Sequence, residues 1–101
     1  MIIVYLACKD SAEADRISSA LLDKRLIACA KKLPVESAFW WEGKKDSASE
    51  ILVLFETIDE NFEEIEIIVS KLHSYDTPLL FAIPVIKTTD KVKKWLNDEI
   101  S

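Results

Sequence analysis

Hydrophobic and polar residues alternate along the chain at two spacings, one typical of strands and one typical of helices. Short runs rich in β-branched and aliphatic residues predict strands at residues 2–8, 26–33, 50–57 and 79–86. Apolar stripes at helical spacing predict amphipathic helices at about residues 11–25, 62–73 and 88–99. Each helix is expected to bury one face, and the terminal helix is expected to bury Val92, Trp95 and Leu96.

Two capping boxes indicate where the two longer helices begin. Asp10 with Glu13, and Thr57 with Glu60, place a short polar side chain three residues before a glutamate. The order β-α-β-β-α-β plus a terminal helix is typical of the α+β ferredoxin-like sandwich, with both longer helices on one face of an antiparallel sheet. The 101 residues are expected to form one domain, because a chain of this length can bury a core without disulfide or metal staples.

The central hairpin is longer than the two helices can cover. Pro34 predicts a bulge or an edge position, residues 35–42 continue in extended form, and residues 43–49 are the predicted polar turn. Strand residues advance about 3.3 Å each and a mean strand has only about five to six of them, so part of the hairpin extends past the core. This excess carries Phe39, Trp40, Trp41, Leu52 and Leu54.

Two interpretations of these exposed aromatic residues are open. Either one tryptophan folds back onto the chain's own helix, or the hairpin lies against a neighbouring subunit, where large aromatic side chains are normally buried. Alternation along the strand turns Trp40 and Trp41 to opposite sides, so both faces need a cover. We expect the second arrangement, with the five residues Phe39, Trp40, Trp41, Leu52 and Leu54 at a self-association interface.

Charge and composition disfavour several classes of protein. The formal net charge of −5 opposes nucleic-acid binding, including RNA binding by a ferredoxin-like domain. Every apolar run is shorter than the roughly 20 residues of a membrane-spanning helix, and the N-terminus lacks the basic region of a signal peptide. We therefore expect no membrane association and a cytoplasmic location, with Cys8 and Cys29 as reduced thiols.

Candidate chemistry in the sequence is sparse. The motifs of serine hydrolases, P-loop proteins, zinc peptidases and dinucleotide-binding proteins are absent, so we expect no enzymatic activity. Cys8 and Cys29 are too far apart to form a C-x-x-C metal site, and each is better explained as a small core residue. His73 lies at a predicted helix C-terminus, where a capping or packing role competes with metal ligation.

Several segments in fixed order resemble the divalent-cation tolerance (CutA) family. They are Leu26-Ile27-Ala28-Cys29-Ala30, Pro34, Trp40-Trp41-Glu42-Gly43-Lys44, Leu72-His73-Ser74-Tyr75-Asp76-Thr77-Pro78 and Trp95-Leu96. The resemblance covers nearly the whole chain. It implies a ferredoxin-like protomer, a homotrimer built through the long hairpins, and a cytosolic, non-enzymatic protein linked to tolerance of copper and other divalent cations.

The chain also departs from the family pattern. The usual His-Pro-Tyr-Glu-Val-Pro-Glu segment ends here in Leu79 instead of an acidic residue, and a glycine after Pro34 is missing. The first-strand cysteine proposed as a copper ligand in some members corresponds to Leu6, while Cys8 lies two residues on. His73 is therefore the one donor that the resemblance transfers for copper or another divalent cation, and folding is expected not to require the metal.

The resemblance leaves three functions open. The first is a trimeric protein of metal response or metal binding, which we expect. The second is a trimeric signalling module similar to PII proteins, which would bind a small ligand or nucleotide in clefts between subunits, with an anion held by Lys31, Lys32, Lys44 and Lys45. The third is a scaffolding trimer without a ligand. Residues expected to line an intersubunit pocket are Cys29, Glu42, Lys44 and Tyr75.

Overall fold

Within residues 1–100, which the computed structural model describes, four strands form one antiparallel sheet. The elements are β1 (Ile2–Cys8), α1 (Ser11–Asp23), β2 (Cys29–Trp41), β3 (Lys44–Thr57), a 3-10 turn (Asp59–Asn61), α2 (Phe62–Leu72), β4 (Leu80–Pro84) and α3 (Asp90–Glu99). The strands lie side by side in the order β2-β3-β1-β4. This strand order and the two crossover helices confirm the predicted α+β ferredoxin-like fold.

The core lies between one face of the sheet and helices α1 and α2. Strand side chains alternate between the two faces, so every second residue of β1 and β3 points toward the helices. The most deeply buried residues of the core include Val4, Leu6 and Cys8 of β1, Val53 and Phe55 of β3, Ala14, Ile17 and Leu21 of α1, and Ile65 and Val69 of α2. The apolar stripes of both helices are thus buried against the sheet, as the sequence predicts.

The N-terminus of α1 is capped as expected, but that of α2 is not. Asp10 Oδ1 accepts a hydrogen bond from the Glu13 backbone N–H at 2.9 Å. Thr57 is the last residue of β3, and its hydroxyl donates to the Leu26 carbonyl at 2.5 Å, so the predicted Thr57 cap is wrong. Asn61 precedes α2, and within the described residues its side chain caps no helix N–H.

The hairpin differs from the prediction at its turn. The turn is the two-residue pair Glu42-Gly43 and not residues 43–49, because β3 already begins at Lys44, opposite Trp41. Both turn residues have positive φ, 49° and 77°, which is typical of a type I′ hairpin turn. β2 continues through Pro34, which pairs with Ile51 on an edge strand where the missing N–H can face outward.

The predicted bounds of β2, β4 and α3 also shift, and α3 begins at Asp90 instead of residue 88. β2 begins at Cys29, three residues later than predicted, although Leu26 and Ile27 ahead of it are buried. β4 is an edge strand that ends at Pro84, as the proline indicates. In α3 the Thr89 side chain accepts from Val92 N–H at 3.2 Å and Leu96 is buried, but Trp95 is 40% exposed, so its predicted burial is wrong within one chain. None of the helices within residues 1–100 has the length and apolar character of a membrane span.

Candidate functional site

The His73 side chain is fully buried and is held through both nitrogens of its ring. It follows the last turn of α2, where its backbone N–H donates to Val69 O at 2.9 Å. Nε2 lies 2.7 Å from Ala7 O and therefore donates, because a carbonyl oxygen only accepts. Nδ1 accepts from the Tyr75 backbone N–H at 3.1 Å. These two bonds fit a neutral imidazole that carries its proton on Nε2.

Two further potential metal ligands meet His73, and the sequence did not indicate them as a group. The donor atoms of Cys8, Glu13 and His73 all lie within 4.8 Å of one another. Cys8 ends β1 and Glu13 lies in the first turn of α1, so the β1–α1 junction brings both to the start of the connector between α2 and β4. Glu13 precedes the buried Ile17 by one helical turn, which was the available signal that Glu13 faces inward.

The surroundings of this cluster set the charge of each group. Burial alone raises the pKa of the Glu13 carboxyl, but hydrogen bonds from the backbone N–H groups of Lys9 and Ser74 outweigh burial, and its pKa falls below the usual value. Burial, followed by the nearby charges of Glu13 and Asp10, raises the pKa of the Cys8 thiol to about 12. At neutral pH the cluster therefore consists of a carboxylate, a neutral thiol and an imidazole.

A second feature is the part of the hairpin that extends beyond β1. We call residues 35–50 the arm, because the pairing of β1 with β3 ends at Cys8 and Ile51. The arm is about 25 Å long. Phe39, Trp40 and Trp41 on it are 39%, 68% and 47% exposed. Lys45 Nζ lies 5.8 Å from the centre of the Trp40 ring, so Trp40 contacts the opposite strand and no tryptophan of the arm is buried against α1 or α2.

A groove of about 840 Å³ runs between the arm and the connector. Its lining includes residues 35–41 of the arm, Glu50, and Tyr75 to Thr77 of the connector. The Tyr75 hydroxyl donates to Glu50 Oε2 at 2.9 Å and so ties the connector to the base of the arm. Burial, and then this bond to Glu50, raises the pKa of Tyr75 to about 12.

The sheet face turned away from α1 and α2 carries exposed apolar side chains. Tyr5 stacks on Phe81 with ring centres 4.4 Å apart, and Leu54 lies beside Tyr5 on the neighbouring strand. Phe81 is 40% and Ile83 is 44% exposed. Leu52 and Leu54, two of the predicted interface residues, are half-buried in this chain alone.

The four residues predicted to line a pocket do not meet within one chain. Cys29 pairs with Glu56, whereas Tyr75 contacts Glu50, six residues away or about 20 Å along β3. Glu42 and Lys44 lie at the tip of the arm. A pocket that combines Cys29, Glu42, Lys44 and Tyr75 therefore stays a prediction about neighbouring subunits.

Comparisons with known proteins agree in family and fold. Residues 2–99 match the family described as CutA1 divalent ion tolerance protein. The divalent-cation tolerance protein CutA of Archaeoglobus fulgidus is 36% identical over 97 residues, covering 96% of this chain and 95% of that protein. Its counterpart in Pyrococcus horikoshii is 35% identical over 99 residues, covering 98% and 97%. The structure of the periplasmic divalent cation tolerance protein CutA from A. fulgidus superimposes with a TM-score of 0.96 at 35% identity, over all of both chains.

Proposed function

Because this chain belongs to the CutA1 divalent ion tolerance family, we propose that it acts as a homotrimer in the response to divalent cations, copper among them. Its arms lie against neighbouring subunits, and its 101 residues form one domain. The protein works in the cytoplasm through binding and assembly, without an enzymatic reaction. The observation that supports the assembly is the exposed aromatic arm.

The exposed apolar side chains of the arm and of the sheet face are expected to be buried by another subunit. Aromatic side chains bury about 150–250 Å² each when covered, so the arm offers a contact area that a monomer leaves in water. β2 is also an edge strand of thirteen residues, and a long exposed edge invites uncontrolled pairing with other chains. A closed symmetric assembly covers these surfaces and leaves no open edge for further growth.

The relation to cations rests on the names of the relatives and on His73. Both archaeal relatives are named divalent-cation tolerance proteins. His73 is the donor that the family resemblance transfers, and Cys8 and Glu13 adjoin it. Cys and His favour copper and zinc over magnesium and calcium, which prefer oxygen ligands.

Solution mass tests the assembly directly. Light scattering is expected to give three times the 11.5 kDa mass of the chain. A monomer at micromolar concentration contradicts the proposal. Titration of the reduced protein with copper and zinc then tests the role in cation response, because a trimer that binds neither metal is a scaffold only.

The alternative of a nucleotide-binding signalling module has less support. Lys31 is paired with Glu56 and with Cys29 Sγ, and Lys32 is paired with Asp15. Two of the four lysines predicted to bind an anion are therefore already paired with carboxylates. A thermal-shift screen with nucleotides tests this alternative. A bound nucleotide is expected to raise the melting temperature of a signalling module, whereas the melting temperature of a cation-responsive trimer is expected to stay unchanged.

A further inference from the structure

We infer that Cys8, Glu13 and His73 form a buried binding site for one divalent cation of the zinc class. The inference rests on the proposed role in cation response and extends it from His73 to a complete set of side-chain donors. Thiolate, carboxylate and imidazole are the three side-chain ligands that Zn²⁺ accepts in proteins. The carboxylate distinguishes this set from the sulfur-rich sites that select copper(I).

Distances within the cluster suit a tetrahedral ion. Ligands about 2.0–2.3 Å from a zinc ion lie about 3.3–3.6 Å from one another. His73 Nε2 and Glu13 Oε1 are 3.5 Å apart, which is long for a hydrogen bond but fits this spacing. Since all three donor atoms lie within 4.8 Å, they need to approach by only about 1 Å.

The groups around the donors resemble the outer shell of a metal site. Glu13 accepts from the backbone N–H groups of Lys9 and Ser74 at 3.0 and 2.9 Å, which fixes the orientation of its carboxylate. Within residues 1–100 no hydrogen bond reaches the buried Cys8 thiol, so a cation can take the sulfur without displacing a partner. Ala7 O lies 2.7 Å from His73 Nε2 and is the nearby candidate for the fourth ligand.

The charge and proton balance of loading is favourable. Zn²⁺ binds the Glu13 carboxylate and the Cys8 thiolate, and the thiol proton leaves to solvent, so the filled site has no net charge in its buried surroundings. His73 ligates through Nε2, and its ring proton moves to Nδ1. Tyr75 N–H, which now donates to Nδ1, then has to turn away. Loading therefore shifts the connector that lines the groove.

Cobalt(II) and zinc titrations of the reduced protein test the site. One Co²⁺ per chain is expected to produce a near-ultraviolet thiolate-to-cobalt charge-transfer band. Cys8→Ser is expected to abolish the band, whereas the matched variant Cys29→Ser is expected to keep it. Glu13→Gln and His73→Gln are each expected to weaken zinc binding at least about tenfold, while Glu66→Gln on the exposed face of α2 is expected to leave it unchanged.

The outcomes separate this site from the broader proposal. Stoichiometric zinc binding without the charge-transfer band, or with the band lost in Cys29→Ser, overturns the Cys8–Glu13–His73 site but leaves a cation-binding trimer. No binding at micromolar metal overturns the site and removes cation binding from the proposed function, while the solution mass still reports the trimer.

A second measurement on the unaltered protein covers variants that fail to fold. Zinc is expected to protect Cys8, and not Cys29, from alkylation during partial denaturation, as located by mass spectrometry. Equal labelling of Cys8 with and without zinc contradicts the site.

Discussion

At the scale of single residues, position in the fold sets the chemistry more than residue type does. Cys8 and Cys29 are the same residue, yet one is buried at the end of β1 and the other is half-buried beside a lysine. Glu13 is fully buried, whereas most glutamates of the chain face water. The sequence predicts Cys8 as a small core residue and Glu13 as a capping residue, and both predictions miss that the two side chains meet at His73.

The raised pKa of Cys8 predicts an inert thiol in the metal-free protein. With a pKa of about 12 the thiolate population at pH 8 is about a thousandfold lower than that of an ordinary thiol. Alkylation of the native, reduced protein is therefore expected to modify Cys29 first and Cys8 only after unfolding. Mass spectrometry of a time course measures this order, and comparable rates for the two cysteines contradict it.

Glu13→Gln is expected to destabilise the fold at neutral pH. The variant loses the charge-assisted part of the bonds from Lys9 and Ser74, so the free energy of unfolding falls by about 1–2 kcal/mol. Because the pKa of Glu13 is lowered on folding, its contribution is present above the unfolded value near 4.5 and is lost as pH falls through the folded value.

Urea denaturation of both proteins across pH 3–7 measures this contribution. The difference between wild type and Glu13→Gln is expected to shrink toward acid. Glu66→Gln, on the exposed face of α2, is the control and is expected to change stability by less than about 0.5 kcal/mol. A difference that stays constant with pH contradicts the assignment.

At the scale of elements, apolar periodicity predicts every strand and helix of the described chain but not the whole hairpin. Residues 44–49 are polar and were interpreted as a turn, yet they form a strand because residues 36–41 pair with them. Thr57 was interpreted as a cap because a threonine three residues before a glutamate matches the motif, whereas the β1 ladder extends β3 to that residue. In both places pairing with a distant strand overrides the local signal.

The turn at Glu42-Gly43 predicts opposite effects for two substitutions. Glu42 adopts a φ of 49°, which costs a residue with a side chain about 1 kcal/mol, and asparagine is better tolerated there. Glu42→Asn is therefore expected to raise the free energy of unfolding by about 0.5–1 kcal/mol. Gly43→Ala is expected to lower it by about 1 kcal/mol through φ alone, because a Cβ at Gly43 meets no atom within 4 Å.

Thermal and urea unfolding of both turn variants measure these shifts. Equal and small effects of Glu42→Asn and Gly43→Ala contradict the type I′ turn.

At the scale of the whole molecule, the structure connects the buried cluster of Cys8, Glu13 and His73 with the groove beside the arm. The chain measures 45 × 26 × 21 Å, with the paired strands of the arm extending past the helices. Tyr75 bonds to His73 through its backbone and to Glu50 at the base of the arm through its hydroxyl. A change at the buried cluster thus has a direct path to the groove beside the arm. Sequence alone could not predict this path, because it depends on how the connector folds onto β1.

In the proposed trimer, the arm is expected to hold the subunits together. Large aromatic residues at interface centres commonly account for about 2–4 kcal/mol each, so Trp40→Ala and Trp41→Ala are each expected to raise the dissociation constant of the trimer by about 30-fold or more. Ile67→Ala is the matched control, because Ile67 is 54% exposed but lies on α2, away from the arm. Sedimentation velocity over a dilution series measures the constants. If both tryptophan variants dissociate no more readily than Ile67→Ala, the arm is not the interface, and the exposed sheet face around Tyr5 and Phe81 has to hold the subunits by itself.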